Sequence, residues 1–153
     1  MAVAAHADLT RALGVSVAPV TIDVHASIDS FSRATGRPWW SNSLVRGAVI
    51  DLAPTAVLAQ RDGVETAVRI AIAEALIGGA FDKRPAWTRV GAARYFARGT
   101  AAARPAMPRK LECPSDAELT LAVSVTAQRD ADTRAELCFI KARERAGDWR
   151  AIR

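Results

Sequence analysis

The stretch that decides the fold is Arg69–Ala97, RIAIAEALIGGAFDKRPAWTRVGAARYFA. It reads as two helices joined by a loop. Val64, Val68, Ile72 and Leu76 recur every four residues and mark one stripe of the first helix. From Thr66 to Phe81 the only charged residues are Arg69 and Glu74. A helix apolar on almost every side belongs inside a domain, so Glu74 is expected to be a buried carboxylate. Arg69 can reach back to Glu65 four residues earlier but is poorly spaced for Glu74. An acid in an apolar helix is costly unless something compensates it. That makes Glu74 the most informative residue of the chain.

The same stretch resembles the two-helix active-site unit of gluzincin metallopeptidases, the peptidase MA-like group. Their pattern is HExxH on one helix, a short loop, then W-x-x-E-G-x-A-x-Y-F on the next. Here the second half reads Trp87-Thr88-Arg89-Val90-Gly91-Ala92-Ala93-Arg94-Tyr95-Phe96, and the first half aligns as Ile70-Ala71-Ile72-Ala73-Glu74. The motif's chemistry needs two imidazoles one helical turn apart to hold zinc, a carboxylate between them to activate water, and a third ligand from the second helix. By this resemblance Ile70 stands for the first His, Ala71 for the catalytic Glu, Glu74 for the second His and Val90 for the ligand Glu. The resemblance implies a zincin-like scaffold; the substitutions remove its metal ligands, so neither a metal nor another cofactor is expected. Replacement of all four positions with the surrounding frame intact looks selective rather than like drift, as in an engineered scaffold.

The chain has 153 residues, half of them hydrophobic, which suits one domain with a substantial core. The net charge of +5 rests on 21 basic residues, of which only Lys83, Lys110 and Lys141 are lysines. They are spread along the chain with no basic run and no nucleic-acid motif, so no nucleic-acid partner is expected. Apolar runs are broken by Arg69 and by Gly78-Gly79, and no membrane span is expected. The N-terminus lacks a basic region followed by an apolar one, so no signal peptide is expected, although relatives in the resembling family are often exported.

Cys113 and Cys138 suit one disulfide that pins the C-terminal helix to the preceding turn, a bond that export would allow. The alternative is two buried thiols in a reducing compartment. The disulfide is the expectation.

In chain order, Asp8–Leu13 reads as a short helix stopped by Gly14, and Val17–His25 as a half-buried strand with His25 on its polar phase. Ser27–Thr35 is a helix stopped by Gly36. Trp39-Trp40 follow a turn. Strand alternation sends one ring inward and leaves the other as a candidate pocket wall. Gly47–Leu52 is a short strand, and Asp62 with Glu65 forms a capping box for the central helix. Residues 98–110 read as a surface loop. Ser115 caps a short helix and Ser124 a longer one through Ala146, with Ala131, Ala135, Cys138 and Ala142 on its apolar stripe. Trp149 and Ile152 dock the tail. The expected architecture is α+β, a single zincin-like domain over 1–153 with a small mixed sheet packed on a helical C-terminal half.

Function follows the site rather than the fold. With Ile70, Ala71 and Val90 in place of ligands, the former metal site becomes an apolar pocket, and Glu74 is its only acid. A desolvated carboxylate is a stronger base. The expected activity is metal-free proton abstraction from a small flat ligand, as in a Kemp-type elimination, with Glu74 as base. Ile70, Ala71, Val90, Trp39, Trp40, Trp87 and Tyr95 would line the pocket. The alternative is a catalytically inactive peptidase relative that serves as a binding or structural domain.

Overall fold

Two four-residue runs, Thr21–Val24 and Val49–Leu52, place apolar side chains on one phase and polar ones on the other, the signature of strands with one buried face. The computed structural model, which describes residues 1–99 and 105–152, joins them into a sheet. Strand β1 (Thr21–Val24) runs parallel to β3 (Val49–Leu52), and β2 (Ser43–Arg46) pairs antiparallel with β3, giving the order β1-β3-β2. Arg46 pairs with Val49, so Gly47-Ala48 is a two-residue hairpin loop. Its first position needs the positive φ of 61° that Gly47 supplies. The register puts Thr21, Asp23, Leu44, Arg46, Val49 and Asp51 on one face. Ile22, Val45, Ile50 and Leu52 lie on the other.

The chain divides into two compact units, Met1–Gly78 and Gly79–Arg153. In the first, α1 (Ala2–Leu13) packs along α4 (Val64–Ile77), and α4 lies against β2 and β3. Helices α2 (Ile28–Thr35) and α3 (Thr55–Ala59) complete it. The core is Leu9, Leu13, Phe31, Ile50, Leu52, Leu58, Val68 and Ile72, all buried. Ser27 caps α2 through the backbone N–H of Ser30, and Gly36 ends it in the left-handed conformation.

The second unit is helical: α5 (Ala86–Arg98), α6 (Asp116–Thr120) and α7 (Val125–Ala146), with a 3-10 turn at Trp149–Ala151. Helices α5 and α7 pack along each other. Phe81, Tyr95, Phe96, Phe139 and Trp149 form a continuous edge-to-face cluster, with ring centroids 5.1–6.3 Å apart. Trp149 and Ile152 are buried, as the sequence led one to expect of the tail. Cys113 and Cys138 are bonded, which ties the segment before α6 to the middle of α7. The chain is thus α+β, with a small three-stranded mixed sheet followed by a helical C-terminal half.

Three local expectations are corrected. Helix α1 starts at Ala2 rather than near Asp8, because Ala2–Ala5 are helix formers without a breaker. Strand β1 covers only Thr21–Val24 of the expected 17–25. Gly63, not Asp62, is the N-cap of α4; the Asp62 carboxylate instead accepts from Asn42 Nδ2 at 3.0 Å. Arg69 also comes within 3.9 Å of Asp8 of α1, an ion-pair partner far away in sequence. Strand β2, unannounced by any long apolar run, exists because the Gly47 hairpin returns it onto β3. Of the expected loop at 98–110, residues 100–104 lie outside the described residues, 105–110 are irregular and mostly exposed as expected, and Arg98 itself ends α5.

Candidate functional site

Helix α4 carries the first group of expected site residues. Ala71 is fully buried, while Ile70 and Glu74 are half-buried. Glu74 is therefore less enclosed than an all-apolar helix suggested. The fully enclosed acids lie elsewhere. Glu136 is 1% exposed and Asp51 is 5% exposed. In the same unit Trp39 and Trp40 meet edge to face at 5.6 Å, with Trp40 half-buried and Trp39 58% exposed. Arg61 holds this corner, with its guanidinium 5.9 Å from the Trp39 ring and hydrogen bonds to the Trp39 and Ser41 carbonyls and to Asn42 Oδ1.

Helix α5 carries the rest. Trp87 and Val90 pack against Leu119, Ala131 and Ala135, so both serve the contact of α5 with α6 and α7. Tyr95 receives a hydrogen bond from Arg143 on its hydroxyl and the same guanidinium 4.9 Å above its ring. One turn further on, Arg98 donates Nε and Nη2 to the two oxygens of Glu136 at 2.8 and 2.9 Å, and Arg94 donates to Asp132 at 3.2 Å. The hydrogen bonds to Glu136 raise the Arg98 pKa above its already high value.

The four positions Ile70, Ala71, Glu74 and Val90 do not fit zinc: Ile70, Ala71 and Val90 offer no ligand atom, and Glu74 offers one carboxylate. Among the described residues no three His, Cys, Asp or Glu side chains come together as a metal site. No helix among them is long and apolar enough to cross a membrane.

No family model, no curated protein and no solved structure matches the chain.

A second polar cluster sits on the sheet, and sequence reasoning left it unassembled. His25, one residue beyond β1, brings Nε2 to 3.0 Å from Asp51 Oδ1, while Arg46 donates to Asp51 Oδ2 at 2.7 Å. The edge of Phe31 braces the imidazole at 5.6 Å and 77°. The alternation that put His25 on the polar phase was one clue. The other was Asp51, a charge inside the apolar run Ala48–Leu52. Their pairing depends on the β1–β3 register, which has no local signature.

Proposed function

We propose that the chain is a zincin-like domain without peptidase chemistry, used as a binding or structural domain. The observation that carries this reading is the commitment of α5. Val90, the position aligned with the third zinc ligand, packs with Trp87 against Leu119, Ala131 and Ala135, and Tyr95 is engaged by Arg143. Side chains spent on helix packing are poorly placed to line an open pocket.

A second reading, metal-free general-base catalysis by Glu74, is favoured by one observation. The carboxylate is half-buried beside Ala71 and Ile70 in a helix otherwise poor in charge. In that reading Glu74 takes a proton from carbon, as in ring opening of a benzisoxazole.

Two measurements decide. Elemental analysis after dialysis should find no stoichiometric zinc, and one tightly held zinc per chain overturns both readings. Benzisoxazole turnover should be the same for the parent and Glu74→Gln; loss of most activity in that variant, with the fold retained, moves the conclusion to the second reading.

A further inference from the structure

We propose that His25 and Asp51 form a general-base dyad at the carboxyl ends of β1 and β3, able to activate water against carboxylic esters. The proposal needs neither the zincin likeness nor Glu74. An ionised aspartate can only accept, so the 3.0 Å contact assigns the ring proton of neutral His25 to Nε2. Nδ1 is then left with its lone pair. It makes no hydrogen bond among the described residues, and the His25 side chain keeps 16% of its surface exposed. A base needs this arrangement: one nitrogen tied to a carboxylate that fixes tautomer and orientation, the other free to take a proton.

The carboxylate is itself held. Asp51 has a side chain 7% exposed and gives its second oxygen to Arg46, whose side chain is 57% exposed. Imidazole and guanidinium are thereby bridged side by side by one buried carboxylate. Phe31, fully buried, fixes the ring from its edge. Asp23, in register with Asp51 on the same face, is the further acid of this surface. Ligands of open sheets with parallel strands gather at strand carboxyl ends, which is where His25 stands.

The step is a hydrolysis. Nδ1 takes one proton from a water as the water oxygen bonds to the acyl carbon, and the carbonyl pair moves onto its oxygen. The resulting imidazolium is stabilised through Nε2–H by Asp51. Collapse restores the carbonyl and breaks the bond to the leaving oxygen, which receives the proton from Nδ1 or, when it is a nitrophenolate, departs as the anion while Nδ1 releases its proton to solvent. His25 is the catalytic residue; Asp51 is a positioning residue.

The test uses p-nitrophenyl acetate and the full chain. His25→Gln should lower kcat/KM to the buffer background, a loss of at least about 100-fold if the base acts with ordinary efficiency. Asp51→Asn should lower kcat with KM little changed. His6→Gln removes the other imidazole, which bonds the Ala18 carbonyl, and should leave the rate unchanged. Nitrogen NMR of the parent should show neutral His25 protonated on Nε2. A parent no faster than His25→Gln, or a His25 proton on Nδ1, overturns the proposal even if the variants fold poorly.

Discussion

Gly91 of α5 passes Ala135 of α7 so closely that a Cβ at position 91 would lie 2.2 Å from the Ala135 carbonyl oxygen and 2.7 Å from the Phe139 Cβ. Both obstacles lie on a buried stretch of α7, and one is backbone, which cannot swing aside. Gly91→Ala should therefore push the helices apart and destabilise the protein by about 3 kcal/mol, although alanine is the better helix former. Urea denaturation measures this; a stability equal to or above the parent's would show that α5 and α7 are further apart.

The buried carboxylate of Glu136 depends on Arg98. Removing the arginine alone strands the acid, so Arg98→Ala should cost about 3 kcal/mol, with Arg94 Nε at 3.9 Å leaving some compensation. Arg98→Met combined with Glu136→Leu removes both charges and should recover most of that loss. A double-mutant cycle by chemical denaturation reads the coupling. Additive effects would mean that the two groups do not interact.

The Cys113–Cys138 bond spans 25 residues. Chain-entropy reasoning assigns such a loop about 3.5 kcal/mol of stabilisation at room temperature. Replacing both cysteines with serine should lower the denaturation midpoint accordingly. Unreduced protein should weigh two hydrogens less than the reduced chain. Two thiols that alkylate freely in the folded, air-exposed protein would contradict the bond.

Glu118 closes the capping box of α6. The Ser115 backbone N–H, Arg134 and the Ser115 hydroxyl hold its pKa down at about 2, against the usual 4.5. A carboxylate with a depressed folded pKa stabilises the fold fully above its unfolded value. That contribution is lost as pH falls from about 4.5 towards about 2. An NMR titration of the Glu118 side chain should have its midpoint far below the usual 4.5, and Glu118→Gln should abolish the acid-dependent opening of α6. A midpoint near the ordinary value would mean that the box is open in solution.

Several elements were legible because their cause is local. Ser115 and Ser124 announced their helices because a cap is a bond between near neighbours. The apolar run of α4 announced burial. The α+β class and the pairing of Cys113 with Cys138 were likewise expected from residues alone.

Tertiary structure decided what depends on residues distant in sequence. Glu74 attracted notice as an acid in an apolar helix, yet the acids most removed from water are Glu136, 38 residues beyond Arg98, and Asp51, 26 beyond His25. Periodicity reports how apolar a helix is but not which neighbours cover each side. That Val90 and Trp87 pack against Leu119, Ala131 and Ala135 depends on where α6 and α7 lie. Sequence determined the elements, because caps, turns and amphipathic faces are set within a few residues. Tertiary structure chose the partners of the buried charges, because a carboxylate leaves water only where a register or a helix crossing brings its counter-charge within hydrogen-bond reach.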